Sequence, residues 1–97
     1  MKLVMIMYNE AINDEVENLL EQNGINGFTK WTKVYGKGRT SGQHLGTHIW
    51  PKVNNVLVAA MEEGTASKLL QDIGKLRKQF AKEGIKAFVW EIEDITP

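Results

Sequence analysis

The sequence predicts an α+β fold in which two helices lie on one face of a four-stranded antiparallel sheet, and three observations carry that expectation. Apolar runs alternate with amphipathic stretches in the order strand-helix-strand, then strand-helix-strand. The segment Gly24-Ile25-Asn26-Gly27-Phe28 resembles Gly84-Ile85-Lys86-Ala87-Phe88, each at a helix-to-strand junction, as a duplicated unit would. At 97 residues the chain has room for one domain, 1–97, with a single modest core.

Leu3–Met7 is a short continuous apolar run, the pattern of a central strand covered on both faces. Ile12, Val16, Leu19 and Leu20 then recur at helical spacing. Asn9 or Asn13 is placed to cap that helix, Asp14, Glu15 and Glu17 lie toward the positive end of its dipole, and Gly24 stands where a C-terminal cap belongs. A second strand runs from about Gly27 to Tyr35, its mixed polarity suiting one wetter face. Val53 and Val56–Met61 form a third strand, apolar almost throughout. Thr65 is the expected N-cap of a second helix whose apolar face is Ala66, Leu69, Leu70, Ile73, Leu76 and Phe80, with Lys68, Lys75, Arg77, Lys78 and Lys82 mostly off it. Gly74 inside that helix suggests close packing, because glycine there costs about 1 kcal/mol against alanine. Gly84 ends the helix, and Ile85–Ile92 supplies a fourth strand with Phe88, Trp90 and Ile92 on one face. Two right-handed units of this kind combine into the ferredoxin-like βαββαβ arrangement. Because the first and third strands are apolar on both sides, sheets from several copies are expected to pack together.

Composition excludes several classes of function. Lysine plus arginine equals aspartate plus glutamate at 12 each, so no global field draws the protein to nucleic acid. Cysteine is absent, which removes disulfides, thiolate metal sites and cysteine nucleophiles and is compatible with a cytoplasmic setting. The apolar start, Met1–Tyr8, is far shorter than a membrane span and lacks the basic flank and cleavage site of a signal peptide, so no direct membrane insertion is expected.

The segment between the second and third strands is the unusual one. Residues 36–52 hold four of the nine glycines, both histidines and one of two prolines. Connections in compact domains usually run about 2–6 residues, and longer ones are mostly functional or disordered. Gly36, Gly38 and Arg39 can offer backbone N–H groups and a guanidinium to phosphate, or can equally be a glycine-rich strand exit with a solvated arginine. His44 and His48 are two nitrogen ligands for a divalent metal, although stable sites usually need three or four; the alternative packs His48 beside Trp50 and leaves His44 in solvent. Trp50-Pro51 reads as a loop anchor or a partner contact. Catalysis has little support: Ser41 near His44 lacks an orienting carboxylate, and a small oxygenase or haem-handling enzyme would rest on fold alone.

The junction Gly24-Ile25-Asn26-Gly27-Phe28-Thr29, the strand exit Val34-Tyr35-Gly36-Lys37-Gly38-Arg39, a long loop, and Pro51-Lys52-Val53 leading into an apolar strand resemble the nitrogen regulatory P-II proteins, and most closely a divergent P-II-like group. The resemblance implies a cytoplasmic, non-enzymatic homotrimer that binds ATP, ADP or AMP in clefts between subunits. It also implies a recognition loop, 37–51, that docks onto a regulated protein such as a membrane transporter. It assigns Gly27, Thr29, Gly36, Gly38, Arg39 and Lys86 to the nucleotide, and Lys37, Gln43, His44 and Trp50 to the partner. There are departures too. Arg39 is followed by Thr40 rather than glutamine, which argues against 2-oxoglutarate sensing, and the loop has no tyrosine for uridylylation. The family's glycine-rich phosphate loop is reduced to Gly84-Ile85-Lys86, and Glu91, Glu93 and Asp94 stand where basic residues are usual. The competing reading is a metal-responsive trimer centred on His44 and His48.

Overall fold

The computed structural model describes residues 1–37 and 53–97. Its elements are β1 (Lys2–Asn9), a 3-10 turn (Glu10–Ile12), α1 (Asn13–Gln22), β2 (Thr29–Tyr35), β3 (Val53–Met61), α2 (Glu63–Gln79) and β4 (Ile85–Glu91). The sheet order is β2-β3-β1-β4 with every neighbouring pair antiparallel, the ferredoxin-like arrangement.

Alternation divides each strand between two environments. On the helix side, Val4, Ile6 and Tyr8 of β1 and Leu57, Ala59 and Met61 of β3 are buried. They meet Ile12, Val16 and Leu20 from the first helical segment and Ala66, Leu69, Ile73 and Leu76 from α2, forming one core. On the other side, Leu3, Met5 and Met7 stand between Val56, Val58 and Ala60 of β3 and Lys86, Phe88 and Trp90 of β4. Trp31 of β2 lies opposite Val56 on that same side and is 51% exposed. Among the described residues no helix covers this face. The expected apolar run on both sides of β1 and β3 is thus present, half of it turned outward.

The cap of the first helical segment resolves to Asn9, whose side chain accepts from the Ala11 N–H at 2.8 Å, while Asn13 is the first residue of α1. Gly24 ends this helix at φ 72°, and the Ile25 N–H reaches the Leu20 carbonyl at 2.9 Å, a closure that glycine permits at low cost. Four local expectations change. α2 begins two residues before Thr65, with Glu62 in extended conformation as its N-cap and no side-chain cap bond. Leu70 is 37% exposed, because it falls off the stripe that faces the sheet. A Cβ at Gly74 would meet nothing within 4 Å, so that glycine answers no packing demand in the described chain. In β2 neither face is dry: Trp31 and Tyr35 are both exposed, since among the described residues β2 is an edge strand pairing only with β3.

Between Trp31 and Val34 the register of β2 against β3 slips, with Lys33 at φ 57°. Three steps along β2 match two along β3, which is a β-bulge. Beyond it, Val34 shares the open face with Asn54 and Tyr35 turns to the helix side opposite Val53.

Candidate functional site

Where β2 leaves the sheet, the end of α2 and the start of β4 come beside it. Between them lies an open cleft of about 800 Å³, lined by Met7 and Tyr8 of β1, Gly36 and Lys37 beyond β2, Asn54 of β3, and residues 81–86 leading into β4. Gly74, Arg77 and Lys78 of α2 form the remaining wall. The antiparallel register explains the meeting: Tyr8 pairs with Ile85 and Asn9 pairs with Asn54, so three strand ends lie level. The Asn9 N–H donates to the Gly84 carbonyl at 2.9 Å and pins the turn before β4 to the end of β1. A Cβ on Gly36 would come within 2.7 Å of the Asn54 amide nitrogen, so glycine there permits close approach of the strand exit to β3.

A polar network supports this end of the sheet from below. Tyr8, buried, donates its hydroxyl to Asn13 Oδ1 at 2.7 Å. The same oxygen accepts from Asn55 Nδ2 at 3.1 Å and Lys30 Nζ at 3.3 Å, and Lys30 also pairs with Glu17 Oε2 at 2.5 Å. Asn55 is only 4% exposed, and its Oδ1 has no partner among the described residues. Burial pushes the Tyr8 phenol above its ordinary range, which keeps it a neutral donor. The hydrogen bond to Lys30 holds the Glu17 carboxyl below its ordinary range, and the reciprocal bond to Glu17 raises the Lys30 ammonium.

Of the residues assigned from sequence, Gly36, Lys37 and Lys86 line the cleft together. Gly27 and Thr29 do not; they stand at the other end of β2, about 20 Å away at strand rise, and Thr29 lies on the open face opposite Val58. Gly38, Arg39, Gln43, His44, His48 and Trp50 lie outside the described residues. Among the described residues no group of three His, Asp or Glu side chains is placed to hold a metal ion. Arg77, Lys78 and Lys82 were not singled out as cleft residues by sequence, since on a helix pattern they read as a solvated side. The only signal was the density of basic residues at the end of α2 and in the turn that follows it.

The nitrogen regulatory protein P-II family model matches residues 1–96. No curated protein matches. Among solved structures, the chain is similar to CPII, a nitrogen regulatory PII-like protein from Thiomonas intermedia K12 bound to ADP, AMP and bicarbonate. That match has a TM-score of 0.75 and 23% identity over 99% of this chain and 93% of that one. It is also similar to a PII-like signalling protein from Thermus thermophilus, with a TM-score of 0.67 and 21% identity over 92% and 83% of the two chains. The apo form of the Thiomonas protein matches with a TM-score of 0.69 and 16% identity over 94% and 89%. At these identities the structural matches speak for the fold, and the family model spans nearly the whole chain. The split βαβ pair, the long connection after Gly36 and the match over residues 1–96 agree: this chain belongs to the nitrogen regulatory protein P-II family.

Proposed function

We propose that the chain, 1–97, acts as a single non-enzymatic regulatory domain that assembles as a homotrimer and binds an adenine nucleotide between its subunits. The segment 37–51 carries the response to a partner protein, with a membrane transporter one candidate class, in the cytoplasm. The observation that carries this reading is the cleft in which Gly36 and Lys37, at the root of that segment, meet Lys86 of β4. A ligand held there touches the first residues of the segment, so its binding free energy can favour one arrangement of 37–51 over others. The nucleotide class is supported by the similar Thiomonas protein, which is described bound to ADP and AMP. The location between subunits is supported by Gly27 and Thr29, which the family resemblance assigns to the nucleotide and which lie at and before the start of β2, away from the cleft of their own chain, where a neighbouring copy's cleft can meet them. The uncovered sheet face, with Trp31, Phe88 and Trp90 exposed, supports assembly.

A thermal-unfolding titration tests the reading, because a ligand of the folded state raises apparent stability by mass action. ATP, ADP or AMP is expected to raise the unfolding midpoint, with the shift reduced in Lys86→Ala and Arg39→Ala. No shift with any of the three at millimolar concentration overturns it.

A further inference from the structure

The chain is charge-balanced as a whole, yet the cleft is not. Five basic side chains line it, Lys37, Arg77, Lys78, Lys82 and Lys86, against one acidic side chain, Glu83. They come from three places distant in sequence: the exit of β2, the end of α2 with its following turn, and β4. Among the described residues, Lys37, Arg77, Lys78 and Lys86 take part in no ion pair; the pairs present there join Lys2 to Glu63 and Glu91, Lys30 to Glu17, and Lys68 to Asp72.

A simpler account of Arg77 and Lys78 is that they complement the negative end of the α2 dipole, worth about 0.3–1 kcal/mol for each charge at an exposed helix end. That account does not reach Lys37 or Lys86, which belong to no helix end and still face the same cavity. Nor does the far end of the chain supply the charge, since Glu91, Glu93 and Asp94 are acidic. Four like charges gathered without acidic partners repel one another, and an anion relieves that repulsion. Arginine binds phosphate oxygens bidentately and lysine as a point charge, so a wall carrying both suits a ligand with several phosphate oxygens along its length. Met7 and Ile85 give the same cavity an apolar side for the rest of such a ligand.

We infer that the last turn of α2, through Arg77 and Lys78, forms with Lys37 and Lys86 an anion-binding wall that takes the phosphate chain of a nucleoside di- or triphosphate. This rests on the nucleotide reading above and adds the residues that select charge. Arg77 and Lys78 are exposed and belong to no buried cluster, so replacing them leaves the core intact. Binding falls with ionic strength because the recognition is electrostatic.

Isothermal titration of the full chain with ADP, adenosine and inorganic tripolyphosphate tests it. For Arg77→Gln with Lys78→Gln, ADP and tripolyphosphate are expected to bind at least about tenfold more weakly, while adenosine is unaffected. Lys75→Gln, on the same helix but outside the cleft, and the charge-keeping pair Arg77→Lys with Lys78→Arg are expected to stay within about twofold of the native protein. A smaller change than that in the glutamine pair, or an equal loss in Lys75→Gln, overturns the wall while nucleotide binding stands. Native protein that binds tripolyphosphate but neither ADP nor adenosine, with binding lost in the glutamine pair, keeps the wall and sinks the nucleotide reading. Native protein that binds none of the three overturns both.

Discussion

Lys33 is held at φ 57°, where its Cβ crowds the backbone and glycine would not. It sits at the bulge of β2 and is exposed, so its side chain contributes little to packing. Lys33→Gly is expected to raise stability by about 0.5–1 kcal/mol, the relief of left-handed strain exceeding the added freedom of the unfolded chain, as measured by urea unfolding. A destabilised variant would mean that the lysine stem has packing not apparent in the described chain. Sequence offered no sign of this strain, because a lysine between Thr32 and Val34 fits an ordinary edge strand. Gly24 was the opposite case: a glycine just after an amphipathic run announces a left-handed cap, and its φ of 72° agrees.

At the scale of elements, α1 is fastened to its surroundings at its middle and at its C-terminal end. Asn23 Nδ2 donates to Asp72 Oδ2 of α2 at 3.0 Å, and Glu17 pairs with Lys30 of β2. Because Lys30 lowers the folded-state value of Glu17, that carboxylate stabilises the fold above its ordinary value of 4.5 and the benefit disappears as pH falls through the lowered value. Lys30, raised above 10.5, contributes below that value and loses its contribution only as pH rises through the raised one. The pair is partly exposed and screened, so Glu17→Gln is expected to cost about 0.5–1 kcal/mol at pH 7 and to converge with the native protein in strong acid. A difference that persists unchanged at low pH in parallel denaturation curves would assign the loss to packing instead. The helices themselves were legible, since Val16 and Leu20, and Ala66, Leu69, Ile73 and Leu76, carry a 3.6-residue period that survives in the core. The start of α2 was not: a capping side chain is worth about 1 kcal/mol, and the tight step from β3 into the helix overrides it, leaving Glu62 extended and Thr65 inside. The cleft was half legible. Gly36, Lys37 and Lys86 stand in recognisable segments, whereas Arg77 and Lys78 acquire meaning only when antiparallel pairing brings the end of α2 beside two strand ends.

For the molecule as a whole, the decisive surface is the sheet face without helices. Met5 lies at its centre, between Val58 and Phe88, and Phe88 and Trp90 rings stand 6.2 Å apart nearby. An unpaired charge buried there in an assembly costs several kcal/mol, so Met5→Asp is expected to convert a trimer to monomers by light scattering. A native chain that is monomeric at micromolar concentration would overturn the assembly reading. The bulge in β2 bears on this larger scale as well. The bulge sets the parity of everything that follows: were the same residues paired regularly beyond Trp31, Val34 would face the helices, Tyr35 the open side, and Gly36 would no longer turn toward Asn54. The bulge thus chooses the side from which the chain departs toward 37–51, and a single deletion at Thr32 or Lys33 would straighten the strand while leaving Val34 opposite Asn54 and that departure on its present side.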